Sequence, residues 1–105
     1  MIRAVVYCLA AMFSSFVAAA GQSEHTYKPL AGYVPDEATA IKIAVAVWEP
    51  IYGAAHIAGE KPYHATLHRG VWIVTGSLRR GMTGGVALAE ISKEDGCITR
   101  ISHGK

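Results

Sequence analysis

Cysteine is nearly missing from this chain, which has Cys8 and Cys97 and no other. Cys8 lies in a stretch that the sequence marks for removal. Cys97 is therefore expected to stand alone, which excludes an intramolecular disulfide framework. A strong excess of charge is missing as well. Ten Lys and Arg stand against eight Asp and Glu, so the chain lacks the general basic footprint that nucleic acid calls for. No internal repeat and no low-complexity tract is present.

What is there begins with "MIRAVVYCLAAMFSSFVAAAGQ". A cationic start at Arg3, an apolar run and small residues at Ala18 and Ala20 form the three-part pattern of a secretory signal peptide, cut after Ala20. The run is slightly short of the roughly 20 residues of a membrane span and is diluted by Ser14 and Ser15. Tyr7, directly before Cys8, is too bulky for a lipoprotein signal. The organisation read from the sequence is a signal peptide over 1–20, an extended or loose lead-in over 21–34 and one domain over 35–105. The expected mature chain is exported, in a bacterium most simply to the periplasm, with no stable membrane insertion after cleavage. Losing Arg3 leaves nine basic residues against eight acidic ones. A domain of this size buries only a little over 60% of its unfolded surface. With 51% apolar residues in the whole chain, one compact core is expected, with little room for a deep pocket.

"VPDEATAIKIAVAVWEPIYG" reads as the one helix. Pro35 suits the first helical position, and Asp36 and Glu37 place negative charge where the helix dipole favours it. Ile41, Ala44, Val45, Trp48 and Tyr52 recur at helical spacing, and Ile43 and Val47 widen the stripe. Pro50 is expected to kink or end the helix, and Gly53 to stop it.

From Lys61 the period becomes two. "KPYHATLH" sets Tyr63, Ala65 and Leu67 against His64, Thr66 and His68. "RG" turns the chain, and "VWIVTGSL" sends Trp72 and Val74 to one face. "GVALAEIS" alternates Ala87, Ala89 and Ile91 against Leu88 and Glu90. "KEDG" is a turn, and "CITRISH" is the last strand. The fold class is α+β: one N-terminal helix packed on a four-stranded antiparallel meander. Trp48 and Trp72 are both expected between helix and sheet.

Motifs that suggest catalysis fail on inspection. "SLRRGMTGG" is not a phosphate-binding loop, because Gly81 and Gly84 are too close, no lysine follows, and Val86 begins a strand where a helix is needed. Arg79 and Arg80 read either as a solvated loop tip or as a mobile cationic loop that presents them with Met82 to a partner. "HATLH" has Ala65 where a metalloprotease needs glutamate. On a strand its two histidines lie about 13 Å apart, whereas zinc ligands bind at about 2 Å. They cannot chelate one ion, and no metal or cofactor is expected. Ser77 and Ser92 lack a nucleophile motif. Cys97 is expected to be packed or half-exposed rather than nucleophilic. Most of the carboxylates sit at the helix start and in turns, where solvated charge is the default.

Taken together, "DEATAIKIA", "WEPIYG", "KPY", the G-V-W-x-V-x-G pattern at Gly70–Gly76, "GGVA" and the terminal "SHGK" resemble the YbbC/YhhH-type immunity proteins. That family carries a nuclear transport factor 2-like immunity domain of bacterial polymorphic toxin systems. The resemblance covers Gly32 to Lys105. It implies a protein that binds and neutralises a cognate toxin and is not an enzyme. Full nuclear transport factor 2 domains enclose a cup with several helices and a longer bent sheet. One helix and four strands imply a reduced version, with the cup shallow or missing. Two other readings are a periplasmic cystatin-like binding or inhibitor module, with a small-molecule or protease ligand, and a small enzyme, for which the sequence offers no catalytic group. For toxin binding, the expected contact residues are Arg79, Arg80 and Met82 on the loop, with His64, His68 and Leu88 from the outward sheet face. The helix end around Glu49 and Tyr52 is the alternative surface.

Overall fold

The structure, a computed structural model, describes residues 25–104; the expected signal peptide lies outside them. Helix α1 runs from Glu37 to Tyr52. Asp36 caps it with an extended backbone, and its side chain accepts the Thr39 N–H at 2.8 Å. An aspartate at this position satisfies one of the donors that a helix start leaves unpaired. Pro35 therefore stands just ahead of the cap rather than at the first helical position. Pro50 lies inside the last turn without ending the helix. It is exposed, as is Ala46, whose carbonyl has no N–H of residue 50 to accept from. Gly53, with φ 98°, ends α1 in a conformation that a side chain would resist. A second helix follows, α2 over Ala54–Ala58, where the sequence reading expected none. Five residues are too few to show a period, and only Ile57 of the five is buried.

The strands are β1 (His64–His68), β2 (Val71–Thr75), β3 (Ala87–Ser92) and β4 (Ile98–His103), in the order β1-β2-β3-β4. All neighbours are antiparallel, as a meander requires. Arg69 and Gly70 make the first turn with φ of 50° and 77°, the paired positive angles that match strand twist in a two-residue hairpin. β2 stops at Thr75 because Gly76 and Ser77 leave the β1 ladder; Ser77 N–H instead donates to the Glu60 carbonyl at 2.7 Å.

The core lies between the helices and one sheet face. Ala40, Ala44 and Trp48 of α1 meet Trp72, Val74, Ala87, Ala89 and Ile91. Alanines on both layers let helix and sheet approach closely, and Trp48, fully buried, fills the centre. Its indole donates to the Leu88 carbonyl at 3.2 Å, and the Trp72 indole donates to the Val34 carbonyl at 2.8 Å. Trp48 thus lies where helical spacing places it and Trp72 where strand alternation does, both with their polar atoms paired. The lead-in is tied down at its end. Tyr33 and Val34 donate their N–H groups to Glu94 and Lys93 at 3.0 Å each, and Val34 is buried. The outward sheet face carries Ile73, Thr75, Leu88 and Glu90, all half-buried. No described helix is long and apolar enough to cross a membrane.

Candidate functional site

The site is built on Glu60. It is the one charged side chain among the described residues that is buried, at 7% exposure, and a buried carboxylate must be paired. One oxygen accepts the Ala87 N–H at 2.7 Å. The other lies 2.8 Å from His103 Nε2 and 3.1 Å from His56 Nε2. Gly76 makes room for this carboxylate: a Cβ there would stand 2.8 Å from Glu60 Cβ, closer than real contacts allow.

The two imidazoles arrive from different elements. His56 lies on α2, one helical turn before Glu60, so their side chains share a face. His103 ends β4, where the register pairs it with Ala87. The two Nε2 atoms lie 3.1 Å apart. His103 Nδ1 sits 2.8 Å from the Gly104 carbonyl, which can only accept, so Nδ1 carries the proton and Nε2 faces the carboxylate. The hydrogen bond with Glu60 holds His103 above the usual imidazole range. The Gly104 carbonyl acts in the same direction, and partial burial opposes both. The ring of Tyr52, at the end of α1, lies 5.1 Å from that of His103. His56, Glu60 and His103 each offer a ligand atom, all within 4.8 Å of one another.

A groove of about 390 Å³ opens beside this cluster, between α2 and the β2–β3 connection. Arg79 and Met82 line it with His56, Glu60 and His103. Met82 donates its N–H to the Arg79 carbonyl, closing a turn at the loop tip, and Arg80 is exposed on that tip. His64, His68 and Leu88 lie elsewhere. His64 and His68 alternate against the half-buried Ala65 of β1, and Leu88 against the buried Ala87 and Ala89 of β3, so all three face outward. His64 and Leu88 share one cross-strand row through Thr75, while His68 sits at the far end of β1 beside the Arg69–Gly70 turn. Of the six expected contact residues, Arg79 and Met82 thus line the groove beside α2, Arg80 is exposed on the loop, and His64, His68 and Leu88 lie on the outward sheet face. "HATLH" is strand β1, which keeps its two histidines apart. Cys97 is exposed on the turn rather than packed or half-exposed. A second depression, of about 610 Å³, lies under the lead-in at the other end of the sheet. Its charged groups include the Lys28–Glu94 pair, 2.7 Å apart, and they do not converge on one point.

The His56–Glu60–His103 group is what sequence reasoning missed. His56 and Glu60 stand four apart, which is a legible signal on a helix, but α2 was not foreseen. His103 comes 43 residues later and joins them only through the sheet register.

The fold defines the class: a reduced α+β layer of the nuclear transport factor 2-like kind, helices on one face of a four-stranded antiparallel meander. The model of the family described as "NTF2 fold immunity protein" matches residues 39–105. An uncharacterized protein of Escherichia coli (strain K12), YhhH, is 36% identical over 73 residues, covering 69% of this chain and 58% of its own length. The chain thus spans less than two thirds of that relative. No solved structure matches. The chain belongs to the NTF2 fold immunity protein family.

Proposed function

We propose that this domain binds a cognate bacterial toxin and neutralises it as a stoichiometric partner, without turning over a substrate. Membership of the immunity family over 39–105 carries this reading. The surface that suits it best is the rim of the groove, where Arg79, Arg80 and Met82 project from the β2–β3 connection. Arginine grips a carboxylate through two parallel hydrogen bonds, and methionine adapts its shape to an apolar partner. The sequence "MIRAVVYCLAAMFSSFVAAA" supports action in the periplasm.

Two experiments test this. Purified domain is titrated by calorimetry against the toxin encoded beside it; saturation at one domain per toxin, with loss of toxicity, is the expected result. No binding and no protection would sink the immunity reading. Mass analysis of the N-terminus after fractionation checks export: a chain beginning at Gly21 in the periplasm is expected, and an intact Met1 on a cytoplasmic protein would refute it.

A further inference from the structure

We propose that His56, Glu60 and His103 form a binding site for a divalent transition-metal ion of the zinc class, with a coordination position open to the groove beside Arg79 and Met82. The three ligand atoms are His56 Nε2, Glu60 Oε2 and His103 Nε2, separated by 2.8–3.1 Å. Zinc binds nitrogen and carboxylate oxygen at about 2.0–2.2 Å. A point about 2 Å from all three atoms lies about 1 Å out of their plane. That is the shallow pyramid of three corners of a tetrahedron, tightened by a few tenths of an ångström. Two imidazoles and one carboxylate are also a donor set that zinc uses when it keeps a fourth position free.

The surroundings favour a metal in the same way. With Nδ1 of His103 committed to Gly104, the lone pair of a neutral Nε2 points at the Glu60 carboxylate. His56 Nε2 faces both. A single cation at the centre satisfies all three acceptors at once. The ligands are held by outer partners of the kind that metal sites use: Ala87 N–H on the second Glu60 oxygen and the Gly104 carbonyl on His103. The position of Glu60 is further fixed by Gly76. The His56 side chain is 56% exposed, which gives an ion a way in. Oxygen donors are too few for calcium, which takes six to eight, whereas imidazole suits zinc, copper, iron and nickel.

The test uses the purified protein without a histidine tag, stripped with chelator and titrated with Zn²⁺ by calorimetry and native mass spectrometry. One ion per chain is expected, with no binding of Ca²⁺ or Mg²⁺. His56→Ala and His103→Ala should each weaken Zn²⁺ binding by tenfold or more. The His64→Ala/His68→Ala double variant should bind as wild type does. Co²⁺ should give a visible absorption band that His56→Ala removes. His56 is exposed, so its variant reports on the ion without endangering the fold. Failure of the wild type to bind Zn²⁺, or equal affinity in the His56→Ala/His103→Ala double variant, would overturn the proposal and leave the cluster a hydrogen-bonded clasp. Neither result depends on the toxin.

Discussion

The indole of Trp72, in the second strand, donates its hydrogen bond to the carbonyl of Val34, 38 residues earlier, at 2.8 Å. One side chain thereby fastens the lead-in to the sheet and fills the core beneath it. Trp72→Ala is expected to cost about 3–5 kcal/mol, a large share of the stability of a small domain. Trp72→Phe keeps most of the apolar contact and strands the Val34 carbonyl, for a loss of about 1–3 kcal/mol. Urea unfolding of wild type and the two variants checks the order; a Trp72→Phe midpoint equal to that of wild type would remove the hydrogen bond from the account.

The cap of α1 makes a pH-dependent contribution. Hydrogen bonds from Thr39, side chain first and backbone second, hold the Asp36 carboxyl below its ordinary 3.8. Its folded-state affinity for a proton is depressed, so its stabilisation is complete above pH 3.8 and fades as pH falls through the lower folded value. Asp36→Ala should melt below wild type at neutral pH, and the gap should close in acid. Asp36→Asn keeps the acceptor and loses the pH dependence. Thermal melts between neutral and strongly acidic pH decide this; a gap that does not close would contradict it.

Gly76 lends itself to a sterically clean test. A methyl group there meets Glu60 at its Cβ, with no exit for a buried side chain. Gly76→Ala is expected to destabilise by about 1–3 kcal/mol and to disturb the histidine cluster. Chemical denaturation measures the first, and shifted imidazole resonances in an NMR titration measure the second. A variant as stable as wild type would mean that Glu60 lies elsewhere.

For the proposed toxin complex, Arg79→Glu with Arg80→Glu should raise the dissociation constant tenfold or more, about 1.4 kcal/mol or above. Both residues are exposed, so the melting temperature should scarcely move. Equal affinities would shift the contact to the outward face bearing His64, His68 and Leu88, or to the α1 end at Glu49 and Tyr52.

The helix and sheet were legible because burial imposes periods of 3.6 and two on the sequence. Trp48 faces where the helical period puts it, and Trp72, Val74, Ala87, Ala89 and Ile91 where alternation does. The helix start was legible in composition but not in register, since Asp36 rather than Pro35 sets the cap. α2 was not legible, being shorter than the window a period needs. Its absence from the sequence reading hid the site. Without α2 there is no wall for the groove and no helical turn to align His56 with Glu60. His103 was hidden for another reason: its place depends on a register that no local signal carries.

The carboxylate and backbone of Glu60 hold both ends of the β2–β3 connection, through Ser77 N–H on one side and Ala87 N–H on the other, while Gly76 and Ala87 close the stem with a 3.0 Å hydrogen bond. The stem is thus anchored independently of what lies between. Substitutions within residues 79–83 are therefore expected to change what the rim of the groove presents while leaving the mount beneath it intact.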